Sequence, residues 1–158
     1  MGACQDVRVA FGDARTRNDA FLVRRAVFVQ EQGVPEDEVF DRQDAGAIHV
    51  VGYVDSAAVA AARCVDEGGG WWRIGWVCTR STARGTGAGT QVMSAALESI
   101  RGRGGREVVL SARDTAVRFY RNLGFRECGE VEELGSGVVL VPMRLSLQPG
   151  GGAPETAR

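Results

Sequence analysis

The chain is poor in the residues that most often bind metals. Among 158 residues it carries a single histidine, His49, and four cysteines, Cys4, Cys64, Cys78 and Cys128, with no C-x-x-C pair. That set is too sparse for a zinc site, and free thiols in a reducing cytosol are the simplest account of the cysteines. Charge of one sign is also lacking. A net charge of −1 supplies no basic field for nucleic acid or an anionic membrane. No apolar run approaches the ~20 residues that cross a bilayer. Residues 1–7 lack the apolar centre of a signal peptide. Their Met-Gly start does not continue as a myristoylation site, because Asp6 stands where Ser or Thr is needed. There is no internal repeat. These absences lead to the expectation of a cytoplasmic protein with no metal, nucleic acid or membrane partner.

What is present centres on one stretch, residues 74–90. It begins as a strand, Ile74-Gly75-Trp76-Val77-Cys78-Thr79, and passes through a loop with glycine at alternate positions, Gly85, Gly87 and Gly89. A helix follows at once, with Val92, Ala96 and Ile100 recurring every fourth residue and Met93 and Leu97 beside them. Glycine lets the backbone turn tightly and approach a ligand. A helix start leaves unpaired N–H groups and a partial positive charge, so the arrangement is an anion cradle, with phosphate the usual anion. Arg84 adds a full charge at its mouth. A P-loop is excluded, since no Gly-Lys-Ser/Thr closes the loop. The spacing G-x-G-x-G, placed mid-chain, also differs from the dinucleotide fingerprint G-x-G-x-x-G. Taken alone, such a turn is as readily a device for bringing helix close to sheet.

The flanking chain supplies alternating strands and helices. Residues 7–11 alternate as a short edge strand. Residues 18–32 have helical spacing, with Phe21, Leu22, Val27, Phe28 and Val29 on one side and Arg24 and Arg25 opposite; Asp13 or Thr16 is the candidate cap, and Gly33 and Pro35 stop the helix. Residues 34–47 form an acidic loop with Glu36, Asp37, Glu38, Asp41 and Asp44, readable as a solvated connector or as a negative wall for a cationic amine. Residues 48–54 and 57–65 read as a hairpin turning at Asp55-Ser56. His49, at a strand start, reads as structural before catalytic. Gly68-Gly69-Gly70 turns into the strand 71–79, whose Trp71, Trp72 and Trp76 are candidates for packing. Residues 107–110 form a buried strand, Asp114 or Ser111 opens a helix bearing Val117, Tyr120 and Leu123, and Gly124 ends it. Residues 125–131 and 138–147 close as an antiparallel pair. The Gly- and Pro-rich residues 148–158 read as a disordered tail, leaving one domain over 1–147.

Two of these segments carry a resemblance. Arg84-Gly85-Thr86-Gly87-Ala88-Gly89 resembles the R/Q-x-x-G-x-G/A acyl-CoA loop of the GCN5-related N-acetyltransferase (GNAT) family. Ala116-x-x-Phe119-Tyr120-x-x-x-Gly124-Phe125 is similar to that family's A-x-x-F-Y-x-x-x-G-F segment. Arg25-x-x-Phe28-x-x-Glu31-Gln32 and Glu38-x-x-Asp41-x-x-Asp44 look like one bacterial branch. The likeness spans roughly residues 20–145, and two motifs in the right order are far more specific than either alone.

The resemblance implies a single-domain α/β fold, with a mixed, mostly antiparallel sheet splayed at its centre between the fourth and fifth strands and helices on both faces. It implies acetyl-CoA as cosubstrate, held by Val77, Cys78 and Thr79 as an added strand partner, by the charge of Arg84, by the N–H groups of Gly85, Thr86, Gly87, Ala88, Gly89 and Thr90, and by Ser111 and Phe119. It places Phe28, Glu31, Glu38, Asp41 and Arg63 around an amine acceptor, and it allows a homodimer. The reaction is attack of a neutral amine on a thioester carbonyl. A backbone N–H near Val77–Thr79 suits the oxyanion. Tyr120 suits protonation of the departing thiolate, since a phenol at ~10 lies near a thiol at ~8.5. Four departures stand out. Gly75 replaces a frequent glutamate, Ser111-Ala112-Arg113 an Asn-Ala-Gln pattern, Leu140 a common histidine and Cys78 a small alanine. The expectation is therefore an N-acetyltransferase acting on a small amine or a lysine side chain; the alternative is a module that binds acyl-CoA as a sensor or structural partner.

Overall fold

The computed structural model describes residues 6–10 by their backbone and residues 13–147 in full. The expected tail, 148–158, lies outside the described residues. The chain divides into two compact units, one of residues up to Val65 together with Ile74–Ile100, the other of Asp66–Arg73 together with residues from Arg101 onward.

In the first unit, β1 (Asp6–Ala10) pairs antiparallel with β2 (Ile48–Val54), which pairs antiparallel with β3 (Ala57–Gly68). The β2–β3 connection is two residues long, and Asp55 and Ser56 both have positive φ, 50° and 68°. That is the backbone twist a tight hairpin needs. Next to β3 lies β4 (Trp71–Thr79), of which Ile74–Thr79 belong to this unit. Helix α1 (Ala14–Arg24) starts at Asp13, whose carboxylate accepts from the Arg15 N–H at 3.0 Å and the Thr16 hydroxyl at 2.7 Å. It runs straight into a π-helical segment, Arg25–Glu31. Ala20, Val23 and Val27 line the core with Val51, Tyr53, Ala61 and Cys78. The Tyr53 hydroxyl donates to Asp19 at 2.6 Å. Helix α3 (Ala88–Gly102) buries Ala88, Val92, Met93, Ala96 and Ile100, the stripe its spacing predicts.

The helical face of α1 differs from expectation. Leu22 is 53% exposed, whereas Arg24, expected on the polar side, is fully buried. The cause is α2 (Glu36–Val39) and a following 3-10 turn (Arg42–Gly46), which fold the acidic loop back over Arg24. The Arg24 guanidinium donates to Asp44 Oδ1 at 2.7 Å and Oδ2 at 3.3 Å, and to the Val39 carbonyl. The rings of Phe21, Phe40 and Trp76 stand 5.3, 4.8 and 5.5 Å from its carbon. Arg63 donates to Asp44 Oδ1 at 3.2 Å and to Asp41 Oδ1 at 2.7 Å. His49 is buried, with Nε2 3.0 Å from the Asp44 carbonyl. All 19 basic side chains of the chain are arginine, whose planar fork suits such shared pairing.

In the second unit, Trp71–Arg73 of β4 run parallel to Glu107–Val109 of β5 (Glu107–Arg113), and the described ladder ends there. β5 pairs antiparallel with β8 (Val139–Ser146) along its whole length. The closing pair expected from 125–131 and 138–147 is shorter than predicted. Only β6 (Arg126–Glu127) and β7 (Glu132–Glu133) pair with β8 on that side. Between them residues 129–131 are exposed, and β8 spends most of its length on β5. Gly70 is required as glycine: a Cβ would stand 2.7 Å from Arg106 Nε, and φ is +88°. Arg106 and Glu107 N–H groups both reach the Gly70 carbonyl. Helix α4 (Val117–Asn122) ends as expected at Gly124, with φ +103° and the Phe125 N–H returning to the Tyr120 carbonyl at 3.1 Å. Ser111, expected as one helix opener, lies within β5; the helix is entered through the 3-10 turn Asp114–Ala116.

Two stability predictions follow from the buried charges. Arg24→Ala removes both guanidinium contacts of Arg24 to Asp44, leaving that carboxylate only Arg63 and the Asp41 N–H, and should cost about 3–5 kcal/mol in urea denaturation. Burial pushes the His49 imidazole below 6.5. Burial would raise the Asp44 carboxyl, but hydrogen bonds from Arg24 and the Asp41 N–H, with the charge of Arg24 and a further bond from Arg63, outweigh it and hold the group below 3.8. In both cases the unfolded chain binds the proton first, so stability is complete above the unfolded pKa and falls as pH drops. Denaturation midpoints should therefore decline from about pH 6.5 downward and again below about pH 4. In His49→Gln the first decline should flatten.

Candidate active site

The cradle residues lie in the first unit. After β4, a 3-10 turn (Ser81–Ala83) and the residues 84–87 lead into α3. Gly85 and Gly87 have φ of +83° and +87°, and a Cβ at either would meet no protein atom within 4 Å. The glycines thus serve backbone conformation and leave open space in front of the helix start. Thr86 shapes the turn: its hydroxyl donates to the Ala83 carbonyl at 2.6 Å, and its N–H bonds the same carbonyl at 3.3 Å. Ala88 is buried, while Gly89 and Thr90 continue the first turn of α3. A loop ending in left-handed glycines ahead of a 15-residue helix can receive an anion on its backbone N–H groups.

Arg84 does not project alone at the mouth. Its Nη2 donates to Glu31 at 2.7 Å, and its Nε donates to the Thr79 carbonyl at 3.2 Å. The pair is solvent-exposed, at 48% and 39% of side-chain area. Glu31, expected at the acceptor, therefore meets the glycine loop instead. Phe28, from the same π-helical segment, packs edge-on against Trp76 at 5.0 Å. Trp76 has φ +51°, a left-handed value rare for a bulky residue. Such strain persists only where the surroundings enforce it and often marks functional backbone. Nothing in the sequence around Trp76 signals this conformation. Its neighbour Gly75 has open space where a Cβ would stand, and no positive φ.

The remaining expected acceptor residues, Glu38, Asp41 and Arg63, do not gather at one place. Arg63 and Asp41 meet in the charge cluster around Asp44, and Arg63 is buried there. Glu38 stands exposed on α2. The acidic loop is thus neither a bare connector nor a bare negative wall, because Glu36 also pairs with Arg25 at 2.9 Å. Cys78 and Cys64 are buried, and burial pushes both thiols up to about 12. Neither is a thiolate at neutral pH, so neither suits a covalent acyl carrier.

In the second unit, Tyr120 is buried on α4, edge-on to Phe119 at 5.0 Å and to Phe125 at 6.0 Å. Ser111 is exposed in β5, opposite Pro142. Arg113, Asp114 and Thr115, which lead into α4, line an open depression of about 350 Å³ together with Ser136, Gly137, Val138 and Val139. Sequence reasoning did not find this depression, since the 136–139 turn carries no motif. Among the described residues no His, Cys, Asp and Glu cluster could hold a metal ion, and no helix is long and apolar enough to cross a membrane.

Residues 15–147 match the family described as the acetyltransferase (GNAT) domain. A curated relative, the uncharacterized N-acetyltransferase YjcF of Bacillus subtilis, is 33% identical over 120 residues, covering 76% of this chain and 85% of that protein. A crystal structure of an acyl-CoA N-acyltransferase from Pseudomonas aeruginosa superposes with a TM-score of 0.76 at 31% identity, covering 89% of this chain and 98% of the other. An aminoglycoside 6'-N-acetyltransferase complexed with coenzyme A shares the fold at a TM-score of 0.73 and 12% identity, over 92% and 98% of the two chains. With the glycine loop, the Phe119-Tyr120 segment and the mixed sheet all in place, the chain belongs to the GNAT acetyltransferase family and is an acyl-CoA-dependent acyltransferase.

Proposed function

We propose that the chain transfers an acetyl group from acetyl-CoA to a primary amine, on a small molecule or a lysine side chain, by direct attack in a ternary complex. The observation that carries this reading is the loop of residues 84–90, with Gly85 and Gly87 left-handed and open space before α3. There the pyrophosphate sits on the N–H groups of Gly85 to Thr90, under the partial charge of the helix start. Val77 and Thr79 lie on β4 past the end of its described ladder with β5, and their backbone suits an extended pantetheine arm added as a strand partner. Cys78 stands between them, its thiol buried and protonated, which favours direct transfer over an acyl-enzyme. Ser111 and Phe119 complete the cofactor contacts.

Three proton and charge events make up the chemistry. A backbone N–H near Val77 to Thr79 stabilises the oxyanion as the amine attacks the thioester carbon. The C–S bond breaks, and the electron pair leaves on sulfur. Tyr120 donates its phenolic proton to that thiolate. The amine loses its own proton through Glu31, Glu38 or Asp41 by way of water, or arrives neutral, because Gly75 supplies no acid. Phe28 and Arg63 border the acceptor. The reaction is set in the cytoplasm, and a homodimer of the chain is compatible with it.

Tyr120→Phe should lower kcat roughly 10²-fold or more while the CoA dissociation constant stays unchanged, measured by thiol release and calorimetry. An unchanged kcat would remove Tyr120 from the chemistry. Acetyl-CoA at a hundred times its dissociation constant should raise the melting temperature by about 5–10 °C, with NADH giving no shift. In Gly87→Val that shift should vanish, because the new side chain occupies the open space before the helix. A full shift in the variant would sink the cradle assignment. Binding without turnover across a broad amine panel would point to an acyl-CoA-binding module instead.

A further inference from the structure

Arg84 is the cation of the cofactor loop, yet its guanidinium is engaged. Glu31 holds Nη2 at 2.7 Å, and the Thr79 carbonyl holds Nε at 3.2 Å. The two contacts differ in kind. The backbone contact fixes where the side chain stands, since Thr79 ends β4 five residues before Arg84. The Glu31 contact fixes what charge it presents. Both partners are substantially exposed, so water and ions reach the pair freely. Exposed pairs of this type are worth only about 0.2–1 kcal/mol. A ligand with more charge than a carboxylate can displace Glu31 without breaking the backbone contact.

We propose that Glu31 is a specificity-determining residue for the cofactor, competing with it for Arg84 and admitting only polyanionic ligands such as a pyrophosphate diester. A monoanion gains little by replacing Glu31, because it exchanges one carboxylate-strength contact for another. A pyrophosphate brings two charges and several acceptor oxygens, and it also takes the N–H groups at the start of α3. Arg84 then turns its outer nitrogen from Glu31 to phosphate while Nε stays on Thr79. This rests on the acyl-CoA reading of the loop.

A double-mutant cycle read by calorimetry with CoA, and with the monoanion acetate as competitor, tests the idea. Glu31→Ala should tighten CoA about two- to fivefold, the range expected from losing an exposed competing pair. It should also make CoA binding sensitive to acetate at concentrations that leave the unmodified protein unaffected. In the Arg84→Ala background, Glu31→Ala should change CoA affinity by less than about 1.5-fold, because coupling runs through the guanidinium. Weaker CoA binding in Glu31→Ala would show that Glu31 merely positions Arg84, and would overturn the proposal. Equal tightening in both backgrounds would reduce the effect to general repulsion between carboxylate and phosphate, and would overturn it too. A protein that fails to bind CoA at all would overturn the acyl-CoA reading itself, a separate result from either.

Discussion

The first unit depends on Asp44. One carboxylate accepts from two arginines, Arg24 and Arg63, and from the Asp41 N–H, while its own carbonyl meets His49. Through these bonds, α1, the acidic loop, β2 and β3 share one polar centre. Arg24 is fully buried among three aromatic rings, and an unpaired guanidinium there would be costly. The pairing is therefore obligatory once α1 packs on the sheet. It also dictates where the loop can go. The 3-10 turn that presents Asp44 must sit directly above Arg24, which brings Phe40 over the same guanidinium.

This explains which parts of the site were legible in sequence. The glycine turn was legible because glycine at alternate positions before an amphipathic helix marks backbone that needs positive φ, and Gly85 and Gly87 prove left-handed. The stripe of α3, the Asp55-Ser56 hairpin and the stop at Gly124 were legible for the same reason: each is set by local residues. Arg24 was not. Helical spacing puts it beside Val23, but only a partner twenty residues away allows it to turn inward. The widening of α1 into a π-helical segment also breaks the 3.6-residue count that would assign faces. The pairing of Arg84 with Glu31, across fifty-three positions, was equally invisible, as was the left-handed Trp76. Long-range ion pairs and strained backbone are tertiary facts, and periodicity carries no record of them.

Strain and openness meet along β4. Trp76 keeps a left-handed φ of 51°, packs against Phe28 and stands near the Arg24 guanidinium. On one side of it Gly75 leaves room, and on the other Val77, Cys78 and Thr79 lead to the glycine loop.

The exclusive use of arginine carries a chemical consequence. Acyl-CoA is an activated thioester, and unprotonated amines attack it with or without an enzyme. A lysine in an ion pair that became acylated would lose its charge and its partner. A guanidinium stays protonated at every physiological pH and is a poor nucleophile. Because all 19 basic side chains are arginine, no side chain in this protein offers a primary amine to the thioester. The salt bridges that hold α1, the acidic loop and the glycine turn are chemically inert toward the group the family transfers.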